Sequence, residues 1–165
     1  MALIVEDGTG VANADTFATV AEAQAYATKR GLDMPADEAD VEPLLIKAMD
    51  FIKSVEERFQ GVRTFDDQLL PFPRMGVVLF GNHLPDTTIP DILKEAQCRL
   101  AFDAQSIDFF PNASGQEVIE EQVGPLKTKY NPTGSSTVQP IPNAALAILE
   151  PLTGGGSGFT IPVDR

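Results

Sequence analysis

A chain of 165 residues is the size of a single domain, and at 43% apolar residues it can build a core, which excludes wholesale disorder. With 24 acidic against 12 basic residues its net charge is −12, the wrong sign for gripping nucleic acid through a basic face. No apolar run approaches the roughly 20 residues of a membrane-spanning helix.

The start, Met1-Ala2-Leu3-Ile4-Val5-Glu6-Asp7, lacks the basic and long apolar regions of a signal peptide. Ala2–Val5 followed by the turn signal Asp7-Gly8-Thr9-Gly10 predicts a short strand or a docked N-terminal arm. Thr19-Val20-Ala21-Glu22 has the form of a capping box, and Gly31 stands where a glycine ends a helix, so a first helix is predicted over Val20–Arg30. Met34–Asp40, rich in Pro and Asp, reads as a loop. The second helix carries the clearest pattern. Val41, Leu44, Leu45, Ala48, Ile52, Val55 and Phe59 recur at helical spacing on one stripe, with Asp40 as N-cap, Pro43 in the first turn and Gly61 as the stop.

From Val62 to Asp86 the chain is apolar but interrupted by Pro71, Pro73, Gly76 and Gly81, which excludes a helix. An apolar loop of this length is unusual in a compact domain and must lie over the core or meet a partner. A third helix is predicted from Thr88 as N-cap, with Pro90 in its first turn, to about residue 107. Glu117–Glu121 and Leu126–Tyr130, flanking Val123-Gly124-Pro125, predict a β-hairpin. Asn131–Thr137 reads as a linker and Pro142–Leu152 as a short fourth helix. Gly154–Gly158 reads as a flexible hinge carrying the terminal peptide Phe159–Arg165. The sum is a mainly α fold, a small bundle of about four helices with a long apolar loop, a hairpin and extended N- and C-terminal arms. Residues 1–152 form the helical domain and 153–165 the hinge and docking arm.

Nothing in the chain assembles into a catalytic constellation. His83 is the single histidine, in a turn-like context with no second metal ligand beside it. Cys98 lies inside the third helix without a nucleophile's spacing signature. As the single cysteine it allows no disulfide within the chain and suits a reducing compartment, so synthesis and use from the cytosol are expected. Asp66-Asp67 and Glu120-Glu121 read as solvated acids, lacking a calcium-loop pattern. Gly154–Gly158 lacks the Lys-Ser/Thr of a phosphate loop. No enzymatic activity, cofactor or metal is expected.

Several stretches, in order, carry a family resemblance. They are Ala2-Leu3-Ile4-Val5-Glu6-Asp7-Gly8-Thr9-Gly10 with Asn13-Ala14-Asp15-Thr16-Phe17, Ala48-Met49-Asp50-Phe51-Ile52, Arg58-Phe59-Gln60-Gly61, and Leu70-Pro71-Phe72-Pro73-Arg74-Met75-Gly76-Val77. Ile89-Pro90-Asp91-Ile92-Leu93-Lys94-Glu95-Ala96, Val123-Gly124-Pro125-Leu126 and the Gly-rich end closing on Arg165 follow. The chain resembles the tailed-phage family labelled DnaT-like single-stranded DNA-binding protein, whose members resemble head–tail adaptors. Phe72 departs from the family's pattern, which has Trp before Pro-Arg, and keeps an aromatic there.

The resemblance implies a virion protein, made in the bacterial cytoplasm, that forms a ring of about twelve copies under the portal. It would extend the DNA channel, meet the next neck or tail-completion protein, and let the genome pass without specific binding. Lateral contacts are expected from the helix faces and the 62–86 loop, with Phe72, Arg74 and Phe80 as anchors. Portal docking is expected from Phe159, Thr160, Ile161, Pro162, Val163, Asp164 and Arg165. The 117–130 hairpin, with Lys127, Lys129 and Tyr130, is expected to line the channel or face the next ring. The alternative is a single-stranded DNA-binding replication factor, for which Arg58, Arg63, Arg74 and Arg99 are the candidate basic strip.

Overall fold

The structure is a computed structural model that describes residues 3–110, 120–123, 126–129 and 141–154. Four helices carry it: α1 (Val20–Lys29), α2 (Glu38–Ser54), α3 (Asp91–Asp103) and α4 (Asn143–Leu149). Short 3₁₀ turns at Glu56–Arg58 and Glu150–Leu152 extend α2 and α4. Three antiparallel strand pairs complete the described residues: β1 (Val62–Arg63) with β2 (Arg74–Met75), β3 (Val78–Leu79) with β4 (Asn82–His83), and β5 (Glu120–Val123) with β6 (Leu126–Lys129). The fold is mainly α, as expected, and no helix among the described residues is long and apolar enough to cross a membrane.

Local chemistry sets the helix ends. Thr19 caps α1 through a complete capping box, its hydroxyl accepting from the Glu22 N–H while the Glu22 carboxylate accepts from the Thr19 N–H. At the other end Gly31, at φ +63°, lets its own N–H reach the Thr28 carbonyl and that of Leu32 the Ala27 carbonyl, the paired bonds of a glycine-closed helix. For α2 the expected N-cap Asp40 is corrected to Asp37, whose carboxylate accepts from the Ala39 N–H. The earlier start moves Pro43 into the second turn, where the Ala39 carbonyl loses its helical donor. Nor does α2 run to Gly61: it closes at Val55 and tightens into the 3₁₀ turn. Thr88 is not a cap either. Its N–H turns back onto the Pro85 carbonyl, and extended Pro90 occupies the N-cap of α3.

α3 is the hub, packing against α2, α4 and α1. Leu93, Ala96, Leu100 and Ala101 face Leu45, Ala48, Met49 and Ile52 of α2, with Ala145 and Leu149 of α4 closing the core. Gln97, fully buried on α3, donates to the Leu45 carbonyl at 3.2 Å and to Thr16 Oγ1 at 2.6 Å, and accepts from the N–H groups of Phe17 and Ala18. That one amide pins the N-terminal arm to the helices. The arm is docked as expected, through a parallel bridge between Val5 and Thr16. Its Glu-Asp-Gly-Thr-Gly motif is a closed loop, with the buried Glu6 carboxylate accepting from the N–H groups of Gly8, Gly10 and Val11. A Cβ on Gly8, at φ +105°, would run into the Thr87 carbonyl.

Candidate protein-interaction surface

Residues 62–86 carry the densest set of outward-facing apolar side chains among the described residues, on a segment anchored firmly from beneath. Leu70, Phe72 and Val77 are fully buried, and the Phe72 ring meets Phe59 edge-on at 5.4 Å. Gln68 accepts from the Phe65 N–H and donates to the Leu70 carbonyl, closing the turn between β1 and β2. Arg74 is the clamp. Its guanidinium donates to the carbonyls of Gln60 at 2.7 Å, Gly61 at 2.6 Å and Pro71 at 3.3 Å, and to the Glu56 carboxylate at 3.2 Å. Arg63 grips the same carboxylate with two bonds of 2.7 Å. The hydrogen bonds and the charge of Arg63, and then the charge of Arg74, outweigh burial and hold the Glu56 carboxyl below the usual glutamate range. A Cβ at Gly61, φ +69°, would strike the Met75 carbonyl, so glycine is what lets β1 approach β2.

The outward side is apolar. Val62 and Met75 are direct cross-strand partners and therefore share a face; both are exposed, as are Leu69 and Val78. On β3, Leu79 packs against the core while Val78 turns outward. Phe80 follows at the hairpin tip, 76% exposed and at φ +51°. A bulky side chain in that left-handed region is an outlier costing of order 1 kcal/mol.

The predicted contact residues separate. Phe72, expected as a partner anchor, is fully buried in this fold and packs in the core. Arg74 is likewise 7% exposed and fully engaged with its own chain, so it holds the surface and does not form it. Phe80 alone of the three is on the outside. Lys127 and Lys129 lie on β6, opposite Gln122 and Glu120. Tyr130 and the peptide Phe159, Thr160, Ile161, Pro162, Val163, Asp164 and Arg165 lie outside the described residues. The clamp formed by Glu56 and Gln60 was not readable in sequence; Arg58-Phe59-Gln60-Gly61, standing out as a unit, was its one trace.

Three arginines of the candidate basic strip are paired with acids. Arg63 and Arg74 pair with Glu56, and Arg99 with Asp103 at 3.1 Å. Arg30 and Lys94 are also committed, to Glu95 and Glu22. Of the aromatics, Phe17, Phe59 and Phe72 are buried while Phe80 and Phe110 are exposed. His83 is exposed on β4. Cys98 is buried, and burial pushes its thiol up to about 12, which leaves it inert at neutral pH. Among the described residues no group of three or more His, Cys, Asp or Glu is placed to hold a metal.

Residues 1–165 match the family described as "Putative DnaT-like ssDNA binding protein". No curated protein and no solved structure matches the chain.

Proposed function

The chain belongs to this DnaT-like family, and from that premise we propose that it is a structural subunit of a phage neck. In this reading it is a head–tail adaptor that rings the underside of the portal, joins the capsid to the neck and tail, and conducts DNA without gripping it. One observation carries the reading. Phe80 is both strained and exposed, on a hairpin whose base is clamped by Arg74. An exposed, strained aromatic costs a lone chain stability, whereas a partner that buries the ring gains apolar contact that offsets the strain. Two further features agree with it. The net charge of −12 repels a DNA backbone inside a channel, and Arg63, Arg74 and Arg99 are each paired with a carboxylate of their own chain.

The family's description favours a second reading, single-stranded DNA binding, and the same experiment separates the two. Purified protein is mixed with the portal protein of the same phage and imaged by electron cryo-microscopy, while a parallel titration follows a fluorescent DNA single strand at moderate salt. An added symmetric ring beneath the portal, with no DNA binding, is the expected result. Tight, salt-dependent DNA binding without a ring would replace the adaptor reading with the replication one.

A further inference from the structure

We propose that the peptide of residues 159–163, Phe-Thr-Ile-Pro-Val, docks along the outward side of the chain's own β3–β4 hairpin and covers Phe80. Gln60 fixes the point from which the peptide sets out. Its side-chain amide donates to the carbonyls of Pro151 and Thr153, each at 3.1 Å, and accepts from the Val78 N–H, also at 3.1 Å. One amide group therefore spans the gap between Thr153 and the first residue of β3. A bridge from Phe59 to Thr153 and a bond from the Gly154 N–H to the Arg58 carbonyl hold the chain there. The described residues stop at Gly154, at the base of the hairpin.

Length and chemistry select this occupant. Five steps of chain lead from Gly154 to Phe159 and reach at most roughly 17 Å. Phe80 lies two residues past Val78, roughly 7 Å along the strand, well inside that reach. Gly155, Gly156 and Gly158 accept the backbone angles that turn a chain across a hairpin. On the hairpin Val78 and Phe80 both face outward and are exposed. In an extended peptide Phe159, Ile161 and Val163, two residues apart, share one face, so the two apolar rows have the same spacing. Residues 159–163 carry no charge, and Gln68 to Pro85 contain no acid, so the contact desolvates no carboxylate of either segment. A tether this short gives the peptide an effective concentration of order millimolar at the hairpin. An apolar contact too weak to hold a separate peptide is then enough.

The consequence rests on the adaptor reading above. The peptide cannot lie on its own hairpin and on a portal at once, so portal docking uncovers Phe80 for the neighbouring copy. Until a portal is present, each chain covers its own contact residue, and ring growth away from the capsid is suppressed.

The test uses the full chain carrying His83→Cys and Ile161→Cys, with the buried Cys98 left in place. His83 is the exposed cross-strand partner of Val78 and so shares its face. The control chain carries Glu57→Cys and Ile161→Cys; Glu57 is exposed next to Arg58, whose carbonyl holds Gly154, so an undirected peptide meets it as readily. At low concentration under mild oxidation the His83→Cys chain is expected to close into a disulfide-linked monomer about tenfold faster than the control, because docking raises the local thiol concentration. Adding Phe159→Ser, which removes the largest docking side chain, is expected to bring its rate down to that of the control. Three results overturn the proposal: closure no faster than the control, an unchanged rate with Phe159→Ser, or disulfides that join two chains, which would give the hairpin to a second copy's peptide. A ring under the portal without this closure would sink the contact and spare the adaptor reading; closure without a ring would do the reverse.

Discussion

The N-terminal arm, residues 3–18, and the hairpin segment, residues 62–86, are built with the same devices and end with opposite surfaces. Both are irregular, both turn on glycines in the left-handed region, and both are held by a buried polar side chain that clasps backbone: Gln97 for the arm, Arg74 for the segment. The arm sends its large side chain Phe17 inward and folds its carboxylate Glu6 onto its own N–H groups. In the segment, the apolar residues are divided between Leu70, Phe72 and Val77 inside and Val62, Met75, Val78 and Phe80 outside. Anchoring alone therefore does not say what an irregular segment is for. The direction of its apolar side chains does: the arm closes the fold, and the segment presents a surface.

The largest effect expected is that of Phe72→Ala, a loss of roughly 3–5 kcal/mol from emptying a fully packed aromatic site. Gln97→Leu follows at roughly 3 kcal/mol, since it strands the buried Phe17 N–H and removes one partner each from the Ala18 N–H, the Leu45 carbonyl and the Thr16 hydroxyl. Urea unfolding followed by far-ultraviolet circular dichroism measures both. If each variant lowers one and the same cooperative transition, arm and segment belong to a single folding unit. A Phe72→Ala protein that keeps the wild-type midpoint would make the segment an appendage and break the comparison.

Arg74→Met sharpens it. Three carbonyls lose their donor and Glu56 keeps only Arg63, at a cost of roughly 2 kcal/mol. The distinguishing readout is hydrogen exchange. Protection should fall across residues 60–84 while α1 and α3 keep theirs, because the clamp acts on the segment's base and not on the helix packing. Equal loss of protection everywhere would mean that Arg74 supports the whole core.

How much of this was readable beforehand depends on period. The amphipathic stripe of α2 and the capping box of α1 repeat or pair at fixed offsets, so both stand out in sequence. The start of α2 did not, because Asp37 and Asp40 are equally good caps and only the local backbone chooses between them. In the hairpin segment Val77-Val78-Leu79-Phe80 reads as one unbroken apolar run, yet in the structure it alternates in, out, in, out. Strands of two residues are too short for that alternation to show against a background that is apolar at every position. For the same reason Phe72 and Phe80 looked alike as candidates, although one is core and the other surface. The clamp is less readable still, since Glu56, Gln60 and Arg74 meet only after the chain has turned back on itself.

Glu56 gives a smaller effect with a defined sign. Its carboxyl is held below the ordinary glutamate value of about 4.5, chiefly by the hydrogen bonds from Arg63. The stability it contributes is thus complete above that pH and is lost as pH falls through the lowered folded-state value. Since Arg63 is partly exposed and screened, the contribution is below that of Arg74. A wild-type chain should show a loosening of residues 60–84 on acidification below about pH 4.5. Glu56→Gln should flatten that part of the profile, measured as urea midpoint against pH. An unchanged profile would mean that the carboxylate's two arginine partners do not couple the hairpin to α2.

The smallest change in stability should come from Phe80→Gly, and it is the most informative. Glycine adopts φ +51° without strain, while Phe does so at a cost of order 1 kcal/mol; against this stands the extra freedom glycine gives the unfolded chain. With 76% of the Phe80 surface exposed, little packing is lost, so the variant should unfold within about 0.5 kcal/mol of wild type. Its self-association on a portal template should nevertheless collapse, by an order of magnitude or more if the ring is the contact centre that an interface aromatic usually is. Stability untouched and association lost would establish that the aromatic is retained for its partner. A stability loss of several kcal/mol would instead place Phe80 in the fold's own packing, and the contrast between arm and segment would disappear with it.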